Sequence, residues 1–308
     1  GGISTSFCSY LVRNDKAEYA IIEADEFDRS FLTLKPNIAV VTSTDADHLD
    51  IYGEEKTLHE SFQLFVNKIV EGGKLFAQSE LKLNYTNKKG YSVSNTNTDI
   101  YADNIRVENG DFVFNAHTLK GVIKDIKLGI NGLHNIENAL ATIAVCQEVE
   151  IDNDTIKQAL NTYKGVKRRF EYQIKEDDLV FIDDYAHHPN EIKALVSSVK
   201  RLYPDKKITG VFQPHLFSRT RDFADDFATE LSKLDEVVLL DIYPARELPI
   251  EGVNSTMLMN KITNPNKELK QKQELVENIK DRKLEVLLTI GAGDIDRLVE
   301  PIKNALLS

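Results

Sequence analysis

Residues 179–189 read LVFIDDYAHHP. Leu179-Val180-Phe181-Ile182 is a short apolar run of the kind that forms a buried strand. It breaks at Asp183-Asp184-Tyr185-Ala186-His187-His188, and Pro189 then opens a helix. Ile192, Leu195, Val196, Val199 and Leu202 recur at helical spacing, and Pro204 ends the pattern. An apolar strand that breaks into polar residues and turns at once into a helix is a βα unit. In open α/β sheets, ligands bind at the carboxyl ends of such strands. Two carboxylates, a phenol and two imidazoles at that point supply charge, hydrogen bonds and proton acceptors. Asp and His are also ordinary turn and cap residues, so each taken alone has a structural explanation.

Downstream the alternation continues, with strands beginning near Glu171, Leu179, Lys207, Glu236 and Glu285. The strand Ile208 to Phe212 runs into QPHLFSRTRD (213–222), which puts His215, Arg219 and Arg221 at a carboxyl end. Val237 to Leu240 runs into DIYPARE (241–247). The last apolar strand precedes Gly291-Ala292-Gly293-Asp294, a loop able to approach a phosphate. It lacks the third glycine of a dinucleotide fingerprint, because Asp296 stands there. This pattern predicts a parallel sheet with covering helices.

Upstream, Tyr19 to Asp25 and Ile38 to Ser43 read as two further strands, each delivering acids to its end. Glu23, Asp25, Glu26 and Asp28 follow the first; Asp45, Asp47, His48 and Asp50 follow the second. If the two are parallel neighbours, Glu23 and His48 face one ion, and carboxylate plus imidazole suits Mg²⁺ or Mn²⁺. Phe62, Phe65, Val66 and Ile69 form the apolar face of a helix over 58–70. Gly72-Gly73-Lys74 is not a phosphate loop: the earlier glycine is missing, and Leu75 stands where Ser or Thr would bind the metal. It reads as a turn into a strand at Leu75-Phe76-Ala77, followed by a polar loop over 82–99. Residues 100–130 alternate around Asn109-Gly110, a hairpin signal for a small antiparallel element. A helix then runs from about Asn131 to Val149, with Asn135 and Asn138 sharing a face near its start. Their amides can read a base edge or hold a metal-bound water, and Asn135 also fits a helix cap. A second helix, about Asp154 to Tyr163, closes this half. In GVKRRFE (165–171) the basic run reads as a solvated linker, or Arg169 as a phosphate contact.

At 308 residues the chain is long enough for about two domains. The hydrophobic fraction of 42% and charged fraction of 28% are those of a chain with real cores. The net charge of −11 argues against general nucleic-acid binding or adhesion to an anionic membrane. Two cysteines, Cys8 and Cys146, imply no disulfide framework and fit a reducing cytoplasm. No apolar run approaches the ~18 residues of a membrane span, and no signal peptide is visible. The Gly-Gly-Ile start, without methionine, reads as that of a chain expected to begin partway through something longer.

Taken together, EADEFDRSF (23–31), TSTDADHLDIYG (42–53), GLHNIENALA (132–141), GVKRRFE (165–171), DDYAHHPNE (183–191), FQPHLFSRTRD (212–222) and TIGAGDID (289–296) resemble the Mur ligases of peptidoglycan synthesis. The DDYAHHP and ADHLD segments look most like the alanine-adding members. The resemblance implies an α/β fold in two parts. Residues 1–166 would be the central ATP-binding domain, incomplete and carrying a small antiparallel β insertion. Residues 167–308 would be a Rossmann-like C-terminal domain that binds the amino acid. It implies that ATP phosphorylates the lactyl carboxylate of UDP-N-acetylmuramate and that the amine of L-alanine attacks the acyl phosphate, in the cytoplasm. Carried over by motif, Glu23 and His48 would bind Mg²⁺. Asn138 would contact adenine, Arg169 and Asp184 the phosphates or ribose of ATP, and Asn135 the region near the metal. Tyr185, His187 and Arg219 would frame the alanine. Three departures stand out. The family's Gly-Lys-Thr phosphate loop is absent from these residues, so the chain alone should not turn over ATP. Leu216 stands where many relatives carry arginine. Gln63 occupies the spacing at which some sister ligases carry a carbamylated lysine, so no such modification is expected. Alternatives are a ligase that attaches a ready-made tripeptide, or a binding module without catalysis.

Overall fold

A computed structural model describes residues 17–26, 29–44 and 55–308. Among these, the chain forms two compact units. The first comprises residues up to Gly129 together with His134–Tyr163; the second comprises Ile130–Leu133 together with Lys164–Ser308.

The first unit is built on a six-stranded sheet of β1 (Ile38–Val41), β2 (Lys74–Gln78), β3 (Lys88–Ser92), β4 (Ile100–Glu108), β5 (Asp111–Thr118) and β6 (Gly121–Lys127), in that order. Helix α1 (Glu55–Val66) joins β1 to β2, and α2 (Leu133–Glu148) and α3 (Asn153–Thr162) follow the sheet. β1 to β4 run parallel, and β4, β5 and β6 are antiparallel. The antiparallel strands expected as a small insertion are present and extend the parallel sheet, because β4 pairs with β3 through Tyr91 and Ile100. Asn109 and Gly110 take the φ values of 52° and 76° that a tight hairpin turn requires, between paired Glu108 and Asp111. Gly72 and Gly73 form the expected turn. A Cβ on Gly73 would lie 2.5 Å from Ile69 Cγ2 and 2.7 Å from the Asn37 carbonyl, so chain crossing explains that glycine.

Two expectations change here. β3 falls within the stretch read as loop. Its sequence KKGYS has no apolar run, but Gly90, Tyr91 and Ser92 are buried between β2 and β4, and that context overrides propensity. Residues 19–25 are not a strand. Tyr19, Ile21 and Ile22 are 62%, 99% and 64% exposed, and no neighbouring strand among the described residues pairs with them. A run of apolar residues states what a segment could bury, but a strand also needs a partner's N–H and C=O groups.

The second unit contains β7 (Glu171–Lys175), β8 (Val180–Asp184), β9 (Ile208–Phe212), β10 (Glu236–Leu239), β11 (Lys267–Leu269) and β12 (Val286–Ile290). Their order is β11-β10-β9-β12-β8-β7, parallel throughout except for β7. Helices α4 (Pro189–Leu202), α5 (Phe217–Asp222), α6 (Ala224–Leu231), α7 (Ser255–Lys261), α8 (Lys272–Lys280) and α9 (Asp296–Leu306) complete it. The five expected strands are present; β11, three residues of Lys-Glu-Leu at the sheet edge, carries too little apolar signal to be read. α4 begins as the sequence predicts: Pro189 is its first residue, and Glu191 accepts from the amides of His187 (2.8 Å) and His188 (3.1 Å). Ile192, Leu195, Val196, Val199 and Leu202 are all buried. The chain leaves β9 towards β10 on one side, and leaves β12 into α9, which packs on β7 and β8 on the other. The switch point of this sheet, where such folds bind ligands, thus lies between β9 and β12.

Candidate active site at the carboxyl ends of β8, β9 and β12

Asp183 and Asp184 end β8 and are 1% and 5% exposed. They do different work. Asp183 accepts Arg168 Nε–H at 3.0 Å, a buried ion pair, and the Thr289 hydroxyl at 2.6 Å, a bond from β12 to β8. Burial pushes its pKa up, against the pull of Arg168. Asp184 accepts the amide of Phe170 at 2.7 Å on one oxygen and that of Ala186 at 2.8 Å on the other. Its carboxyl is pushed up to about 6 by burial, which outweighs these two amides and nearby Arg169. Asp184 therefore organises its own turn, and only its remaining lone pairs are available to a nucleotide.

The elevated Asp184 pKa is directly testable. In ¹³C spectra of aspartate-labelled protein, the Asp184 carboxyl is expected to titrate near pH 6, against about 3.9 for an ordinary aspartate. The folded state binds that proton more tightly than the unfolded chain does. This group therefore favours folding as the pH falls from 7 towards 4.5. Glu191 opposes it: although burial raises its pKa, His187 and the local amides hold it below the usual carboxylate range, so its contribution is lost on acidification.

Arg168 links three loops. Besides Asp183, its guanidinium donates to the Gly291 carbonyl at 2.5 Å and lies 5.2 Å from the Tyr185 ring centroid. Its own carbonyl accepts the Tyr185 amide at 2.7 Å. The reading of Arg168 as a solvated linker residue is thus corrected: its side chain is only 17% exposed. Arg169, expected as the phosphate contact, is 53% exposed, stands 5.5 Å from the same ring and pairs loosely with Glu191 at 3.5 Å.

Around Tyr185 the rings and cations converge. His187 meets Tyr185 edge-on at 5.2 Å and His215 at 6.1 Å, and His187 Nδ1 lies 3.2 Å from Glu191. Arg219, in the first turn of α5, places its guanidinium 3.4 Å from His215 Nδ1. His215 in turn stacks on Tyr243 with centroids 5.7 Å apart. Tyr185, His187 and Arg219, predicted from sequence, are therefore neighbours in one cluster, and His215 and Tyr243 complete it. Leu216 adopts φ 69°, a left-handed conformation uncommon outside glycine, at the start of α5. No feature of the structure explains leucine there.

The switch point itself is closed by Gln213. Its side chain donates to Asp294 at 2.9 Å and accepts the Ile295 amide at 2.9 Å. A Cβ on Gly293 would lie 2.4 Å from Gln213 Oε1 and 2.7 Å from Tyr243 Cβ. The glycines of GAGD are thus used for close packing against the neighbouring loops rather than as an open phosphate cradle. Asp294 also takes Lys272 at 2.6 Å.

In the first unit, Asn135 and Asn138 lie on α2 as expected, half-buried and exposed respectively. The helix begins at Leu133, so Asn135 is its third residue rather than its cap. Glu23 is exposed in an irregular segment, and His48 lies outside the described residues. Among the described residues, no group of three or more His, Cys, Asp or Glu side chains is placed to hold a metal. Gln63 clasps the loop at Asn84, accepting its amide at 2.8 Å and donating to its carbonyl at 3.0 Å. No helix among the described residues is long and apolar enough to cross a membrane.

The family model of the Mur ligase middle domain matches residues 3–146, and that of the Mur ligase glutamate ligase domain matches residues 168–294. A protein of Christiangramia forsetii named UDP-N-acetylmuramate–L-alanine ligase is 53% identical over 309 aligned residues, covering 100% of this chain and 67% of that protein. The chain belongs to the Mur ligase family. A protein of the same name from Flavobacterium psychrophilum is 50% identical over 99% of the chain, so this Mur ligase chain spans about two thirds of the length of these curated relatives. Among solved structures, the UDP-N-acetylmuramate–alanine ligase MurC of Thermotoga maritima superposes with a TM-score of 0.73 at 24% identity, over 91% of this chain and 62% of that one. MurF of the same organism, solved with ADP, gives 0.70 at 16% identity over 88% and 62%. At these identities the two structures speak for the Mur ligase fold alone.

Proposed function

We propose that this chain is the central and C-terminal portion of a UDP-N-acetylmuramate–L-alanine ligase, an ATP-dependent amide-forming enzyme of the cytoplasm. The observation that carries this is the cluster of Tyr185, His187, His215 and Arg219 at the sheet's carboxyl end, in a chain 53% identical to a protein of that name. The shared name of the relatives favours alanine over a tripeptide as the amine substrate. We assign residues 1–166 to the ATP-binding domain and 167–308 to the amino-acid-binding domain; the two family matches, 3–146 and 168–294, support that division.

In this reading ATP transfers its γ-phosphoryl group to the lactyl carboxylate of UDP-N-acetylmuramate. The alanine amine attacks the resulting acyl phosphate, and the tetrahedral intermediate expels phosphate to leave the amide. Arg219 takes the alanine carboxylate, since a guanidinium fork matches carboxylate oxygens. His187 and His215 stand at the amine, where a neutral imidazole can accept its proton. Tyr185 forms the wall between alanine and Arg169, which with Asp184 faces the nucleotide. Asn138 is assigned to the adenine and Asn135 to the region near the metal. Glu23 and His48 are the donors suited to Mg²⁺, which would neutralise the transferring phosphoryl group. Of these two donors, Glu23 lies among the described residues and His48 outside them.

Oxygen transfer tests the chemistry. With UDP-N-acetylmuramate labelled with ¹⁸O in its lactyl carboxylate, the full-length enzyme is expected to release phosphate carrying one ¹⁸O atom. Unlabelled phosphate accompanying labelled amide would exclude the acyl phosphate. These residues without a Gly-Lys-Thr loop are expected to release no phosphate by themselves.

A further inference from the structure

α5 carries Arg219, yet it begins at a left-handed Leu216 that offers no side-chain cap. Its first amides need acceptors from elsewhere. The loop after β10 supplies one. Glu247 accepts the Ser218 amide at 3.0 Å and the Ser218 hydroxyl at 2.5 Å. The same loop pairs by backbone with the strand end that bears His215: Leu216 N–H donates to the Tyr243 carbonyl at 2.9 Å, and Tyr243 N–H to the Pro214 carbonyl at 2.8 Å. The loop is itself held in shape, with Ala245 at φ 49° and the Glu247 amide bonded to the Pro244 carbonyl at 2.9 Å. Of these bonds between the two segments, the pair made by Glu247 is the one a side-chain substitution removes. A carboxylate at a helix N-terminus also interacts favourably with the first-turn amides.

We propose that Glu247 is a positioning residue for the amino-acid substrate. It caps α5 from outside, through Ser218, and thereby sets the direction in which the adjacent Arg219 and His215 present their side chains. The proposal rests on the alanine-ligase reading. Glu247 acts through Ser218 rather than on the substrate itself, and its effect is confined to the amino-acid side of the reaction.

The test is steady-state kinetics of the full-length enzyme with each substrate varied in turn. Glu247→Ala is expected to raise KM for L-alanine about tenfold, with KM for ATP and for UDP-N-acetylmuramate within about twofold and kcat within about threefold. Glu247→Gln, whose amide can still accept from the Ser218 N–H, is expected to return KM for L-alanine to within about threefold of wild type. Ser218→Ala, which deletes the hydroxyl bond alone, should raise it about threefold and add nothing to Glu247→Ala, because the two act through one contact. A uniform rise in all three KM values, or none, overturns the positioning role while leaving the ligase reading intact. A wild-type enzyme without alanine-dependent phosphate release overturns both.

Discussion

Arg168→Ala is expected to destabilise the second unit by roughly 3–5 kcal/mol, the cost of stranding a buried charge. Asp183 is 1% exposed and has two side-chain partners in the structure, Arg168 and the Thr289 hydroxyl. Burial already raises its pKa while the guanidinium resists. With the guanidinium gone, the carboxyl either remains charged at high cost or takes up a proton. Its folded pKa then lies further above the unfolded value, so the lost stability returns as the pH falls. Urea titrations of the variant at pH 7.5 and pH 5.5 should show the deficit relative to wild type shrinking at the lower pH. Asp183→Asn combined with Arg168→Met removes both charges and should cost less than Arg168→Ala alone. A deficit below about 1 kcal/mol, unchanged with pH, would mean that the pair behaves as a solvated surface contact. The substitution also removes the ties to the Gly291 carbonyl and the Tyr185 ring, so the site loosens as stability falls.

Arg219→Ala is the substitution expected to damage the reaction most. In the full-length enzyme it should lower kcat/KM for L-alanine by about 10²–10³, which is what losing a charge-assisted contact to a carboxylate costs when its partner is left unpaired. Arg219 stands 3.4 Å from His215, whereas Arg221, two residues on, is engaged at 2.7 Å by Asp222. Leu216 brings no charge to the same turn. Arg219→Lys keeps the charge but not the fork and should fall between. KM for ATP should be unaffected. If Arg219→Ala instead raised KM for ATP and spared L-alanine, the cluster around His215 would belong to the nucleotide.

What the sequence revealed follows from the range of the interactions involved. The βα unit from Leu179 to Leu202 was legible because its signals are local: an apolar run, polar residues at its end, Pro189 and Glu191 at the helix start, and one apolar face. Strand ends in a parallel sheet meet in space, which marked out the polar residues after β8 and β9 as a group. Tyr185, His187 and Arg219 were picked from that group by the resemblance of their motifs to the Mur ligases. Glu247 could not, since its partner Ser218 is 29 residues away and belongs to the end of another strand. Arg168 looked like one more charge in a basic run; its burial is set by Asp183, 15 residues on. DIYPARE, with Asp241 and Pro244 as its turn-forming residues, was visible as a strand end but not as the strap that holds α5. In the first unit, β3 was hidden because a central position can enlist a polar segment. The segment at 19–25 misled in the opposite sense, carrying a strand pattern with no partner to pair with among the described residues.

The decisive measurement is the mass of the product formed by the full-length enzyme from UDP-N-acetylmuramate, ATP and an equimolar mixture of L-alanine and the cell-wall tripeptide. A Mur ligase with the site described here yields the sugar nucleotide extended by a single alanine, with ADP and phosphate in equal amount. Extension by the tripeptide, or phosphate release with no new amide, would contradict the assignment of this chain to the alanine-adding enzyme.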